Sequence, residues 1–108
     1  MIMGRETVLI YPSLARQLKA FGQRLMVARL ARSLSITVMA QRSGVTRTTY
    51  KRLEEGHPSA SLCLLVTALK ILGTEKELDK ILENDQVGLA LATSSLPVKR
   101  RQKNVPKI

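Results

Sequence analysis

The chain has 108 residues, of which 44% are hydrophobic and 3% aromatic, so we expect a small core of aliphatic helices rather than a β-sandwich. One cysteine excludes an internal disulfide bond, and with a single histidine it leaves little to build a metal or catalytic site, so we expect no enzyme, no cofactor and no metal. The net charge of +10 indicates a polyanionic partner.

Residues 1–12 are expected to form a short N-terminal arm, because a β-prone run over residues 7–11 ends at Pro12. The arm lacks the long apolar run of a signal peptide or membrane span, so we expect a cytoplasmic, nucleoid-associated protein. A long first helix follows, which Ser13 would cap and in which Gly22 marks a kink or a close approach. Its apolar residues recur at helical spacing (Leu14, Leu18, Phe21, Leu25, Ala28 and Leu30), and its polar face is basic (Arg16, Lys19, Arg24, Arg29 and Arg32).

Residues 35–56 are typical of two short helices joined by a tight turn. Ser35 can cap the first, Gly44 can adopt the left-handed turn conformation, and Thr46 can cap the second, over residues 47–54. Ala40 is small enough for a helix crossing, and the expected core anchors are Met39, Val45, Tyr50 and Leu53. The second helix would then project Arg47, Thr48, Lys51 and Arg52, a set that suits a phosphate-lined major groove.

The rest of the chain is predicted to hold a fourth helix that stops at Gly73, then a fifth over residues 75–84 with Leu78, Ile81 and Leu82 facing inward. Residues 87–92 are apolar and could extend a helix, form a strand or pack in a dimer interface. Charge is uneven: residues 1–74 carry +8, residues 75–93 carry −3, and residues 94–108 carry +5. We expect residues 94–108 to be a disordered basic tail. Its basic cluster could follow DNA phosphates or serve only solubility: Lys99, Arg100, Arg101 and Lys103.

The pattern from about residue 21 to residue 82 resembles the Cro/CI-type (XRE) helix-turn-helix family. The resemblance is carried by Leu34-Ser35, Ala40, the Gly44-Val45-Thr46 turn, Leu53-Glu54-Glu55-Gly56, and the helix from Leu62 to Gly73. It implies an all-α, five-helix, lambda-repressor-like DNA-binding domain over residues 13–84, followed by an apolar extension over residues 85–93. It also implies a homodimer that binds double-stranded DNA at a palindromic operator through its second and third helices.

The resemblance assigns roles position by position. Base contacts fall on Arg47, Thr48 and Arg52, with Lys51 beside them, and phosphate contacts fall on Ser35, Thr46, Thr49 and Arg42. Arg29 and Glu54 fall where relatives often form an internal salt bridge, while we expect Tyr50 in the core, His57 in a solvated loop, and Cys63 as a small apolar residue of the fourth helix. Two positions depart from the family: Ile36 replaces a Gln that usually braces the recognition helix, and Val38 replaces a Glu.

Residues 10–14 and 54–62 are also similar to HipB-type antitoxins, which pair with a HipA-like kinase toxin and repress their own operon. Since the chain offers no sensing domain, we expect a transcriptional repressor acting as such an antitoxin. The alternative is a stand-alone phage or plasmid repressor. The basic helix predicted over residues 47–54 argues against a protein-interaction module that has lost DNA binding. RNA binding lacks the aromatic platform of single-strand readers.

Overall fold

The computed structural model describes residues 11–94, which form six helices and no strand, as expected for an all-α chain. The five α-helices are α1 (Pro12–Ala31), α2 (Ile36–Ser43), α3 (Arg47–Glu54), α4 (Leu62–Ile71) and α5 (Gln86–Ser94), and a 3-10 helix spans Glu75–Lys80. The predictions for residues 1–10 and for the basic cluster of the tail lie outside the described residues. The chain divides into two compact units, Met1–Glu75 and Lys76–Ile108.

In the first unit, α3 is the central helix, because it contacts each of α1, α2 and α4. The side chains between these helices are mainly aliphatic, as the composition predicts. Met39, Tyr50 and Ala68 are completely buried at the centre of this core. Leu34, Ile36 and Val45 are partly buried and pack against it. The buried core consists of Leu25, Met39, Ala40, Tyr50, Leu53, Leu64, Ala68, Leu69 and Leu72.

Short polar side chains fix where the helices begin. The hydroxyl oxygens of Ser35 and Thr46 accept hydrogen bonds from the backbone N–H groups of Val38 (3.1 Å) and Thr49 (3.1 Å), which confirms both predicted caps. Ser61 caps α4 in the same way, at 2.9 Å from the Leu64 nitrogen.

The predicted start of α1 is wrong by two residues, because Tyr11 and not Ser13 occupies the cap position. Ser13 is not its cap, because α1 already begins at Pro12, with Tyr11 preceding it in an extended conformation. Proline suits the first helical position because its fixed φ is helical and because a missing N–H costs nothing there.

The structure differs from the sequence prediction over residues 75–84, where one helix was expected. The helical segment is a 3-10 helix that ends at Lys80, and Leu82 has a left-handed φ of 64°. Ile81 and Leu82 are 65% and 78% exposed, so they do not face inward as predicted. After a turn over residues 81–84, Asp85 precedes α5, and its carboxylate accepts a hydrogen bond from the Gly88 N–H at 2.9 Å.

Residues 87–92, for which the sequence allows a helix, a strand or an interface segment, lie within α5. None of the helices in the described part of the chain has the length and apolarity that crossing a membrane requires.

Candidate nucleic-acid interface

The turn between α2 and α3 is built as its sequence predicts. Gly44 has a φ of 72°, in the left-handed region that glycine adopts without steric cost. The N–H groups of Gly44 and Val45 donate to the carbonyl oxygens of Gln41 (3.2 Å) and Ala40 (3.0 Å), which satisfies the last carbonyls of α2. Thr46 then starts α3 directly. The turn therefore holds the two helices in a fixed geometry, with Ala40 buried beside it.

A buried charged cluster fixes α3 against α1. The Arg29 guanidinium donates from Nε (2.7 Å) and Nη2 (3.0 Å) to the two carboxylate oxygens of Glu54, which confirms the predicted internal salt bridge. The Tyr50 hydroxyl donates to Oε2 of Glu54 at 2.6 Å, and Nη1 of Arg29 donates to the Leu34 carbonyl. Both Glu54 oxygens are thus paired, as a buried carboxylate requires.

The same cluster sets the ionisation of its members. Burial raises the pKa of the Tyr50 phenol far above its ordinary value, and its hydrogen bond to Glu54 raises that pKa further. The hydrogen bond to Glu54 also raises the pKa of Arg29. Tyr50 is therefore a neutral donor within the core, which agrees with its predicted structural role.

Two glycines allow α1 and the end of α3 to approach closely. A Cβ at Gly22 would lie only 2.7 Å from the Glu54 carbonyl carbon, and one at Gly56 would lie 2.6 Å from the Leu18 carbonyl oxygen. Any side chain at either position would therefore meet backbone atoms. The close approach predicted for Gly22 is confirmed. The close approach at Gly56 was not predicted from the sequence.

The exposed surface of α2 and α3 carries cations and no acid. Arg42, Arg47, Lys51 and Arg52 are exposed, and none of them has a hydrogen-bond or ion-pair partner within residues 11–94. Glu54 is the sole acid between residues 36 and 54, and it is buried. Charged groups without an internal partner are available to a polyanion, so this surface has the electrostatic character of a nucleic-acid interface.

The three hydroxyl groups predicted to hold phosphates differ in whether their hydrogen is free to donate. A hydroxyl group has one hydrogen to donate, and phosphate oxygens only accept. Thr46 donates its hydrogen to the Thr49 hydroxyl oxygen at 3.0 Å, whereas Thr49 keeps its own hydrogen for an outside acceptor. Ser35 is exposed and uses only its oxygen in capping, so its hydrogen is also available. The geometry thus favours Ser35 and Thr49 over Thr46 as phosphate donors.

A shallow groove lies between the beginnings of α2 and α3. It is lined by Ile36, Arg47, Thr48 and Lys51. The structure therefore brings together three of the four predicted base-contacting residues, and it adds Ile36, the residue that departs from the family pattern. Arg52 lies one helical turn beyond Thr48 and is exposed on α3.

Other predicted residues are elsewhere. Arg29 is buried, so it does not belong to the basic face of α1. Arg32 is also engaged, because its guanidinium donates to the carbonyl oxygens of Leu72 (2.9 Å) and Ala28 (2.7 Å). The Leu72 contact could not be predicted from a local sequence pattern, because it joins residues 40 positions apart. Cys63 lies in α4 but is exposed, contrary to its predicted apolar role, and His57 is an exposed loop residue as predicted.

Within residues 11–94, no group of three or more His, Cys, Asp or Glu side chains is arranged to hold a metal ion. The candidate functional site is the cationic surface of α2 and α3. Its supports are the turn, the buried charged cluster and the glycine contact between α1 and α3.

Comparison with known proteins agrees with this architecture. A family model described as a helix-turn-helix domain matches residues 20–80, more than half of the chain, from within α1 to the end of the 3-10 helix. No curated protein and no solved structure matches the chain significantly. The chain therefore belongs to the helix-turn-helix domain family and is a DNA-binding regulatory protein.

Proposed function

We propose that the protein is a transcriptional repressor that reads a specific duplex DNA sequence with α3. The observation that carries this proposal is the exposed face of α3, where the side chains of Arg47, Lys51 and Arg52 have no partner among residues 11–94. On the opposite face, Tyr50, Leu53 and Glu54 are buried in the core. A helix anchored on one face and cationic on the other can enter the major groove without rearranging.

Contacts within the groove would divide by chemistry. Arg47 and Arg52 would donate two hydrogen bonds each to guanine O6 and N7, and Thr48 and Lys51 would reach neighbouring base edges. Ser35, Thr49 and Arg42 would hold phosphates, which fixes the register of α3 without reading sequence.

The test uses a duplex selected from a random-sequence library with the full-length protein. Arg47→Ala should weaken binding to the selected duplex by about 1–3 kcal/mol and to random duplexes much less, because a guanine contact is lost only where the guanine is present. Dissociation constants measured at one salt concentration provide the comparison.

Lys70→Ala is the matched control, since it removes an exposed cation of α4 that is outside the proposed interface. It should affect both kinds of duplex equally. Equal losses on both duplexes for Arg47→Ala would show that Arg47 contacts only phosphate, and failure to enrich any duplex would contradict sequence-specific binding.

A homodimer is part of the proposal, because two copies of α3 would enter successive major grooves roughly 34 Å apart on a palindromic operator. The candidate interface is the apolar region around α5, where Val87 and Leu89 are 69% and 58% exposed. Residues 7–11 are the other candidate, and all of them except Tyr11 lie outside the described residues. The molar mass in solution, measured by light scattering with and without DNA, distinguishes a dimer from a monomer.

We further propose that the repressor is the antitoxin of a toxin–antitoxin operon and represses its own promoter, with a HipA-like kinase as the toxin. The similarity of residues 10–14 and 54–62 to HipB-type antitoxins supports this role. If it is right, the neighbouring gene encodes a kinase whose toxicity the protein neutralises and with which it co-purifies. A promoter footprint without any such neighbour would instead support a stand-alone phage or plasmid repressor.

A further inference from the structure

Ile36 occupies an unusual place for an aliphatic side chain. It is the first residue of α2, directly after the capping Ser35, and it is only partly buried. One side packs against the hydrophobic core, while the residue also lines the groove shared with Arg47, Thr48 and Lys51. A side chain held by the core keeps a fixed position and loses little conformational freedom when a ligand arrives.

The groove is otherwise polar. Its other three lining residues contribute a guanidinium, a hydroxyl and an ammonium group, so Ile36 is the one entirely apolar side chain among the four. An isoleucine side chain can neither donate to a phosphate nor hydrogen-bond a base, so van der Waals contact and exclusion of water are all that it offers a ligand. In the major groove, the one apolar group that bases present is the C5-methyl of thymine.

We propose that Ile36 is a specificity-determining residue that recognises a thymine methyl group beside the bases contacted by α3. The inference rests on the proposed function, because it requires Arg47, Thr48 and Lys51 to lie in the major groove. It assigns a reading role to α2, and it predicts a thymine next to the bases that α3 contacts.

The experiment replaces each thymine of the library-selected duplex, one at a time, by deoxyuridine, which lacks only the C5-methyl group. The wild-type protein should bind about fourfold more weakly at one thymine in each half-site, the factor that corresponds to burying one methyl group. Ile36→Ala should bind the thymine and deoxyuridine duplexes equally at that position.

Ile71→Ala is the matched control, because Ile71 is also a partly buried isoleucine packed against the core but lies in α4, away from the groove. It should retain the full fourfold penalty. Ile36→Ser leaves no methyl group on the side chain, so it gives the same answer if Ile36→Ala folds poorly. Thermal unfolding of each variant establishes that it is folded.

The inference is overturned if the wild-type protein tolerates every deoxyuridine, because no methyl group is then recognised. It is also overturned if Ile36→Ala and Ile36→Ser keep the penalty, because another residue such as Thr48 would then be the methyl contact. These results would leave the proposed function intact, because a specific duplex would still have been selected. Failure to select any duplex would overturn both.

Discussion

At the scale of single residues, the position of one hydroxyl hydrogen distinguishes Thr49 from Thr46. Thr49→Val removes a free donor and should weaken DNA binding by about 1.5–3 kcal/mol, the range for a hydrogen bond to a charged group. The loss should be equal on selected and random duplexes, because every duplex presents phosphates. The salt dependence should not change, because a neutral hydroxyl displaces no counterion. Dissociation constants at several salt concentrations measure both effects.

Thr46→Val is the control for this prediction. It removes the cap of α3 and should lower the free energy of unfolding by about 1 kcal/mol, while the folded protein binds DNA nearly as before. Weaker binding by Thr46→Val than by Thr49→Val would contradict the assignment of the two threonines.

Tyr50 gives a second prediction at this scale. Tyr50→Phe removes the donor to the buried Glu54 carboxylate and should lower the free energy of unfolding by about 1.5–3 kcal/mol at neutral pH. Since folding raises the pKa of Tyr50, its stabilising contribution is present below the ordinary tyrosine pKa of about 10 and decreases as pH rises above it. Urea unfolding from pH 7 to pH 11 should therefore show the two proteins becoming more alike above pH 10. Parallel pH profiles would contradict this.

At the scale of helices, the contact between α1 and α3 depends on Gly22. Alanine normally stabilises a helix relative to glycine, but a Cβ at this position would meet the Glu54 backbone. Gly22→Ala should therefore lower the free energy of unfolding by about 1–3 kcal/mol and displace α3. Thermal unfolding and DNA binding measure the two effects.

Gly88→Ala in α5 is the matched control. Its Cβ would meet the Asp85 carboxylate, the end of a flexible side chain, so the change in stability should be below about 1 kcal/mol. If Gly22→Ala were as well tolerated as Gly88→Ala, the close approach of α1 and α3 would not matter for stability.

The helices that could be predicted are those whose boundaries are determined by nearby residues. The α2–turn–α3 region follows from Ser35, Gly44 and Thr46, which act on groups within a few positions of themselves. The helix predicted over residues 75–84 ends early, at Lys80, and Leu82 has a left-handed φ that does not occur within a regular α-helix. Apolar spacing carries no information about such a residue.

For the site as well, only the features that depend on nearby residues could be predicted from the sequence. The exposure of Arg47 and Lys51 follows from helical periodicity, whereas the groove with Ile36 requires α2 and α3 to be placed in space. The bond between Thr46 and Thr49 concerns the direction of one hydrogen, about which a sequence pattern carries no information.

At the scale of the whole molecule, charge should govern how tightly any DNA is bound. The chain carries +10, and residues 94–108 contribute +5 of it without an acid. Replacing the four tail residues Lys99, Arg100, Arg101 and Lys103 by Gln should weaken binding and make the slope of log K against log salt shallower. Each lost phosphate contact changes that slope by about 0.9.

The control replaces Lys76 and Lys80, which lie in the acidic stretch of residues 75–93. Lys80 already has an acidic neighbour, Glu77, at 3.6 Å, so these substitutions should leave the slope unchanged. An unchanged slope for the tail variant would assign the tail to solubility or to a protein partner.

The eight-residue length of α3 has a consequence for cooperativity. A helix this short is not stable alone in water, and its last residue, Glu54, contacts Gly22 and Arg29 in α1. Local opening of α3 would expose the Glu54 carboxylate and separate it from Arg29, so such opening should cost nearly as much as unfolding the whole first unit. The backbone amides of α3 should consequently exchange hydrogen at the rate set by global unfolding, and an isolated peptide of residues 36–54 should neither fold nor select DNA.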